Sequence, residues 1–301
     1  MAEALQPESR RDGKEYSVLQ RARRRDVVSD PYPFVVVRDA LPEALCRALI
    51  EQYPSPAAVQ AGADSNQRWS LPAADADRSA DIPAVWKAFT AYHASPAFWS
   101  EIVDVFGAEM VKLYPTAFPD ESALRRLRSG VRHRDEFDDR DLLMDAQIAG
   151  NTPVTQASSV KTVHIDSNNK LYTGLLYLRA PDDDSVGGDL DIVRFRRDLS
   201  ASQYKRRYDG MFVEHDLVEN VQTVAYERNV LVMFVNCPDA LHGVTVRQPT
   251  PHRRLFLNLV GEVDFPLFDV PQHWQTRLRK LPRLAKKRLF GIGGRKGSAD
   301  Y

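Results

Sequence analysis

The chain has 301 residues, enough for one enzyme-sized domain or two small ones, and 41 basic side chains balance 41 acidic ones. A general nucleic-acid-binding protein is normally basic, so we expect no nucleic-acid partner. The two cysteines, Cys46 and Cys237, lie far apart, which excludes a disulfide scaffold and a cysteine-rich zinc module and fits a reducing compartment.

Neither a targeting signal nor a membrane span is predicted. The first residues contain no apolar stretch of signal-peptide length. The longest apolar run, 230–235, is far too short to cross a bilayer. We therefore expect a cytoplasmic protein with no transmembrane segment.

The chain begins with a polar segment, residues 1–30, which contains a cluster of arginines and is predicted to be flexible. A β-branched run bounded by prolines predicts a strand within 31–38, and helical spacing of leucines predicts a helix over 42–53. Residues 55–80 are rich in Ala, Asp, Ser and Pro, which predicts a loop.

Two further helices are predicted at 83–93 and 96–106, and a densely charged segment follows over 124–141. Their apolar faces carry large side chains that are candidates for the core: Trp86, Phe89, Phe98, Ile102 and Phe106.

From residue 143 onward, short β-rich runs alternate with turn residues. Eight strands in so short a stretch leave no room for crossover helices, which favours an antiparallel sandwich or barrel. The predicted strands are 143–148, 161–165, 171–179, 190–195, 223–226, 230–235, 243–247 and 253–260.

The C-terminal segment, residues 271–301, carries nine Lys or Arg against one acid, with apolar residues between them. Two interpretations are open. The segment is an amphipathic helix that contacts acidic lipid or a partner, or it is a solvated tail with a few docked apolar residues.

A candidate metal site begins with His164 and Asp166. On a strand, residues i and i+2 point to the same face, so an imidazole and a carboxylate would project together. A third ligand, His242, follows the apolar strand that ends at Val235. Two histidines and one carboxylate on one side of a metal form the facial triad of non-heme Fe(II) oxygenases.

A second His-x-Asp match, His133 and Asp135, lies in a run that is typical of a solvated charged loop. The triplet is also similar to a kinase catalytic motif, but no Gly-rich loop or downstream metal-binding triplet accompanies it. We reject it both as a metal site and as a kinase signature.

Five motifs in this order resemble the Fe(II)/2-oxoglutarate-dependent dioxygenase superfamily, and most of all its prolyl 4-hydroxylase-like branch. They lie between residues 143 and 262: the runs 164–179, 187–190, 229–236, 242–244 and 253–258. The resemblance implies a mainly β, α+β fold: a double-stranded β-helix, or cupin-like jelly roll, with N-terminal helices packed on one sheet. It implies one dioxygenase domain over 31–270, with a helical part at 31–142 and a jelly-roll core at 143–262.

The resemblance also implies residue roles. His164, Asp166 and His242 match the iron ligands. The family places a basic residue in the last barrel strand, where it pairs with the distal carboxylate of 2-oxoglutarate, and both Arg253 and Arg254 lie there.

Strand parity favours Arg254, because Phe256 and Asn258 would then face inward with it, and we assign Asn258 to the same co-substrate pocket. Tyr177 matches a family tyrosine that bonds the same carboxylate, and Leu175 shares its parity and would line the pocket. Alternatively, Tyr177 is only a core aromatic residue.

The cofactors implied are Fe(II), 2-oxoglutarate as co-substrate and O2, with ascorbate as an optional reductant. The first reading is hydroxylation of an unidentified small molecule with release of succinate and CO2. Two readings stay open beside it: a hydroxylase of protein or peptide side chains, as in prolyl hydroxylation, and a jelly-roll binding module without turnover.

Overall fold

The computed structural model describes residues 13–159, 161–205 and 207–270. It is a mixed α+β structure, in which the longer helices precede the main run of strands. The helices are α1 (Glu43–Glu51), α2 (Ala73–Arg78), α3 (Ala84–His93), α4 (Pro96–Leu113), α5 (Glu121–Arg125) and α6 (Ala201–Lys205). The strands are β1 (Phe34–Arg38), β2 (Arg68–Leu71), β3 (Ser129–Val131), β4 (Leu142–Asn151), β5 (Lys170–Tyr177), β6 (Leu190–Phe195), β7 (Val218–Val224), β8 (Val230–Val235), β9 (His242–Val244) and β10 (Arg254–Glu262).

A large sheet has the strand order β1-β8-β5-β10-β4-β2, and β3 lies beside β4 as its one parallel partner among the described residues. The other pairs are antiparallel. Strand β8, with the sequence VLVMFV, is buried along its whole length because both of its faces are covered. The antiparallel pairing predicted for the second half of the chain is confirmed.

A small sheet of order β7-β6-β9 lies over one face of the large sheet. We call that face the inner face; it carries Thr173, Leu175 and Tyr177 of β5 and Arg254 of β10. Its contact with the small sheet is direct, since the rings of Phe234 on β8 and His242 on β9 have centroids 4.7 Å apart. Strand β9, which carries the third predicted metal ligand, His242, therefore lies opposite the inner face.

Helices α2, α3 and α4 pack on the opposite, outer face of the large sheet. Trp99 of α4 stacks on Tyr172 of β5, with ring centroids 6.4 Å apart. Helix α4 begins at Pro96 after Ser95, whose hydroxyl accepts a hydrogen bond from the backbone N–H of Phe98. The five large side chains predicted for the helical core are all fully buried: Trp86, Phe89, Phe98, Ile102 and Phe106.

Residues 55–80, predicted as a loop, contain a strand and a helix. Strand β2 pairs with β4 at the edge of the large sheet, and α2 follows it immediately. Trp69 and Leu71 are buried through the alternation that strand pairing requires. Two apolar residues in a polar run are too short a pattern to be recognised, which is why the loop prediction was wrong here.

The N-terminal segment also differs from the prediction. Residues 13–30 are packed against α3 and α4, and Val18 and Leu19 are buried in the main core. Arg24 forms a two-pronged ion pair with Glu121. Arg23, in contrast, donates to carbonyls within its own segment. Residues 13–30 are therefore packed on the helices, unlike the flexible segment predicted, while residues 1–12 lie outside the described residues.

The predicted basic segment 271–301 lies outside the described residues. In the rest of the chain, the division into a helical part and a β part is not strict, because β1 and β2 join the same sheet as β4, β5, β8 and β10. No helix in the described ranges is long and apolar enough to cross a membrane.

Candidate metal centre

The structure brings His164, Asp166 and His242 together. Each offers one ligand atom, and the three atoms lie within 4.8 Å of one another. All three residues are buried. Over the described parts of the chain, no other group of three His, Cys, Asp or Glu residues is arranged to hold a metal ion.

Backbone pairing places the two histidines side by side. The N–H of His164 donates to the carbonyl of His242 over 2.9 Å, and the N–H of His242 donates back over 3.0 Å. The residues therefore form an antiparallel bridge, and their rings have centroids 4.3 Å apart. In place of the strand predicted at 161–165, His164 forms this bridge and a second one to Phe212. The bridge to His242 is enough to place the two histidines side by side.

The orientation of both imidazoles is set by their own backbone neighbourhood. Nδ1 of His164 lies 2.7 Å from the carbonyl oxygen of Thr162, and Nδ1 of His242 lies 2.9 Å from that of Ala240. An Nδ1–H that donates to a carbonyl leaves Nε2 as a lone pair for a metal. Burial lowers the pKa of both histidines, which favours the neutral, ligating form.

Asp166 is held by Thr173 of β5. The Thr173 hydroxyl donates to Oδ2 of Asp166 over 2.6 Å, while Oδ1 lies 4.0 Å from Nε2 of His164. Burial raises the pKa of this carboxyl, but Lys170 and Lys161 oppose it, and the pKa lies well below its usual value. Asp166 is therefore a carboxylate with one oxygen fixed and the other turned toward the histidines.

Two lysines approach that second oxygen. Nζ of Lys161 and Nζ of Lys170 each lie 3.8 Å from Oδ1 of Asp166. Burial lowers the pKa of Lys161 to about 8. Asn236 supports this loop, because its amide donates to the carbonyls of Ser167 and Lys170.

The donor set fits a transition metal such as Fe(II). Two imidazole nitrogens and one carboxylate oxygen on one side of an ion leave its other positions open, which is typical of non-heme iron sites. The second His-x-Asp match is not part of any such group: Asp135 accepts the backbone N–H of Val131, and His133 lies 4.0 Å from Asp145.

Arg254 is the second centre of interest on the inner face. Its Nε donates to the carbonyl of Gly188 over 2.7 Å, and its Nη2 donates to the Tyr177 hydroxyl over 3.0 Å. Its Nη1 lies 3.4 Å from Oδ1 of Asn151 on β4. Arg253 points the other way, with its guanidinium 6.0 Å from the ring of Tyr53 on the helical side.

Arg254 is buried, and its hydrogen-bond partners among the described residues are all uncharged: Gly188, Asn151 and Tyr177. A buried guanidinium without an anionic partner is costly, so this arrangement calls for an anion from outside the chain. Asn151 adds an orphaned donor, since its buried Nδ2 has no partner. Tyr177, Arg254 and Asn151 thus provide a set of donors suited to a carboxylate.

The remaining predicted site residues lie on the same face. Leu175 is buried between Thr173 and Tyr177 along β5, with Asn258 opposite it on β10. Asn258 does not contact Arg254; its amide donates to Oε1 of Gln147 over 2.7 Å. Leu175 therefore lies between the metal-ligand group and Arg254, and Asn258 is hydrogen-bonded to Gln147 of β4.

Sequence reasoning did not identify Asn151, Lys161 or Lys170 as site residues. Asn151 could have been found from register, because it is the direct cross-strand partner of Arg254. The two lysines flank the His-x-Asp motif in sequence, but the pattern gives no sign that both reach the same carboxylate oxygen.

Comparison with known proteins gives structural neighbours only. No protein-family model matches the chain, and no curated protein matches it. Among solved structures, a Pseudomonas putida prolyl-4-hydroxylase matches with a TM-score of 0.39 and 14% identity, over 76% of this chain and 92% of that one.

Two further solved structures are similar at the same level. A Trichoplax adhaerens prolyl hydroxylase in complex with a hypoxia-inducible-factor peptide fragment matches with a TM-score of 0.38 and 13% identity, over 77% of this chain and 84% of that one. The Fe(II)/α-ketoglutarate-dependent dioxygenase TqaL matches with a TM-score of 0.38 and 11% identity, over 79% and 86%. These three solved structures are two prolyl hydroxylases and one Fe(II)/α-ketoglutarate-dependent dioxygenase.

Proposed function

We propose that this chain is an Fe(II)- and 2-oxoglutarate-dependent dioxygenase that hydroxylates a small molecule and releases succinate and CO2. One observation carries the proposal. His164, Asp166 and His242 converge, and in each of them the atom not needed for a metal is already hydrogen-bonded to the protein. Side chains held in this way are ready to bind an ion without rearrangement.

We assign the two sheets to a double-stranded β-helix of the cupin-like type, within one domain. The antiparallel strand order and the facing of β8 and β9 support this assignment. Because Val18 and Leu19 lie in the same core, the domain includes residues 13–30 as well as the predicted 31–270.

The co-substrate would lie along β5 between the two centres. Thr173, Leu175 and Tyr177 face inward in succession, so a span of four residues, roughly 13 Å of strand, connects Asp166 with Arg254. Arg254, Tyr177 and Asn151 would bind the distal carboxylate through charge-assisted hydrogen bonds. Leu175 would line the apolar middle of the pocket.

Bound Fe(II), with 2-oxoglutarate and O2, supplies the oxidising chemistry, in which decarboxylation of the co-substrate is coupled to hydroxylation of a C–H bond. The chain's own residues hold the reactants. The two neutral imidazoles and the Asp166 carboxylate would hold the ion, and Thr173 fixes Asp166. The burial of the three ligands limits access of water.

The test measures bound Fe(II) and 2-oxoglutarate decarboxylation, with ascorbate as reductant, in His164→Ala and His242→Ala. We expect both variants to lose tight metal binding and turnover, because each removes one of three ligands. His215→Ala is the matched control, since His215 is exposed and does not belong to the group of metal-ligand residues. Normal decarboxylation in either folded ligand variant would refute the proposal.

A second assay separates a small-molecule substrate from a peptide substrate. Metabolites and proline-containing peptides are compared for succinate formation above the uncoupled rate. Stimulation by metabolites alone supports the small-molecule assignment, and stimulation by peptides alone would replace it with a side-chain hydroxylase.

A further inference from the structure

Among the residues that the structure describes, the two lysines beside Asp166 have no other acidic partner. In the described part of the chain, Asp166 supplies the one carboxylate within 4.0 Å of Nζ of Lys161 or of Lys170. Both approach Oδ1, the same oxygen that faces the histidines. A metal bound to that oxygen would withdraw its charge from both ammonium groups.

The lysines are also partly withdrawn from water. Their side chains are 21% and 20% exposed, and Asp166 between them is buried. A half-buried ammonium group that loses its partner is destabilised, unless another anion replaces that partner.

This inference rests on the proposed function, because Fe(II) and 2-oxoglutarate enter the charge balance. The distal carboxylate of 2-oxoglutarate balances Arg254. Its other carboxylate and Asp166 together balance the two charges of Fe(II). Lys161 and Lys170 are then left without countercharge at the edge of the metal site.

We propose that Lys161 and Lys170 bind an anionic group of the substrate, a carboxylate or a phosphate, and that the substrate is a small organic anion. Two ammonium groups directed at one point can share the oxygens of such a group. Because both Nζ atoms lie 3.8 Å from an oxygen of Asp166 that would bind the metal, this contact would hold a neighbouring C–H bond near the metal.

An exposed aromatic ring suggests where the rest of the substrate lies. Phe212 pairs with His164 through a backbone bridge, its ring centroid lies 6.1 Å from that of His164, and the residue is 44% exposed. Its apolar surface, beside a metal ligand, suits a substrate with an apolar body and an anionic end.

The experiment is a calorimetric titration of the full chain, loaded with Fe(II) and saturated with 2-oxoglutarate in the absence of oxygen. The probes are phenylacetate, phenyl phosphate and the neutral phenylacetamide. We expect at least one anionic probe to bind about tenfold more tightly than the amide, and the comparison of the two anions tells which acid group is preferred.

Three variants locate the effect. Lys161→Met and Lys170→Met should each remove most of the preference for the anion and leave 2-oxoglutarate affinity unchanged. Lys112→Met, at an exposed position in the last turn of α4, is the matched control and should change neither. Metal content is measured in every variant, so that weaker binding of the probe is not confused with loss of the bound ion.

Several outcomes would overturn the proposal. Anionic probes that bind no better than phenylacetamide would refute it, even while 2-oxoglutarate binds normally. A lysine variant that weakens 2-oxoglutarate instead would reassign the lysines to the co-substrate. Failure of the wild-type chain to bind 2-oxoglutarate with Fe(II) would instead refute the proposed function on which the inference rests.

Discussion

Arg254 and Tyr177 lie diagonally across two adjacent antiparallel strands, and Nη2 of Arg254 donates to the Tyr177 hydroxyl oxygen over 3.0 Å. Because that oxygen accepts from the guanidinium, its own proton stays available to a third group. The two side chains therefore present their donors together to an anion.

Arg254→Ala should weaken 2-oxoglutarate binding by about 2–5 kcal/mol, equivalent to at least about 30-fold in Kd, because it removes one side of a buried charge pair. Arg253→Ala is the neighbouring control and should have little effect, since Arg253 faces Tyr53 on the other side of the strand. Calorimetric titration of the Fe(II)-loaded chain measures both. A larger effect at Arg253 would contradict the assignment.

Gly188→Ala should disturb the same anchor. Gly188 has a φ of +84°, and an added Cβ would lie 3.0 Å from Cδ of Arg254 and 3.2 Å from Cγ of Arg247. The matched control is Gly210→Ala, with a φ of +64° and no atom within 4 Å of its Cβ. Both should lose about 1–2 kcal/mol of stability to backbone strain, but Gly188→Ala alone should weaken 2-oxoglutarate binding, by about tenfold. Equal affinities in the two variants would show that Arg254 tolerates the displacement.

The pH dependence of stability should depend on His93 of α3. Burial among aromatic rings lowers its pKa to about 4, and its Nε2 accepts the backbone N–H of Val18. Between its unfolded pKa of about 6.5 and about 4, the unfolded chain binds a proton that the folded chain does not. Stability is therefore retained above about pH 6.5 and falls on acidification, by on the order of 3 kcal/mol.

Urea unfolding of the wild type and of His93→Gln between pH 7.5 and pH 4.5 checks this expectation. Glutamine keeps an acceptor without titrating, so the variant should lose less stability on acidification. Parallel pH profiles for the two proteins would mean that His93 does not contribute to the acid sensitivity.

Val18→Ala should destabilise the protein by about 2 kcal/mol, because it removes two methyl groups from a fully buried site. Val28→Ala, at a site that is 46% exposed, should change stability by less than about 0.5 kcal/mol. Thermal or urea unfolding compares them. If Val18→Ala left the free energy of unfolding unchanged, the N-terminal segment would contribute little to core stability despite its burial.

Alternation along strands was the most informative part of the sequence. It placed Tyr177 and Leu175 on one face and separated Arg254 from Arg253, because side chains on consecutive residues must point to opposite faces. Long apolar runs such as β8 and α4 were recognised for a similar reason, since their hydrophobic patterns extend over several residues.

Features that depend on tertiary contacts were not predictable. Val18 and Leu19 are two apolar residues in a charged segment, and they are buried only because α3 and α4 offer a surface to cover. Likewise, the approach of Lys161 and Lys170 to one oxygen of Asp166 depends on the path of the loop, which Asn236 holds from a distant strand. No local pattern encodes such long-range pairings.

Because a backbone bridge joins His164 and His242, the affinity of the site for an ion depends on complete folding of the chain. The two histidines come from distant parts of the chain and meet only when β9 has docked opposite the inner face. A partly folded chain would offer only the His164–Asp166 pair and would hold an ion weakly. An ion that prefers the assembled triad shifts the population toward the folded form, increasingly so as its free concentration rises. Under the proposed function, added Fe(II) would therefore raise the free energy of unfolding of the chain.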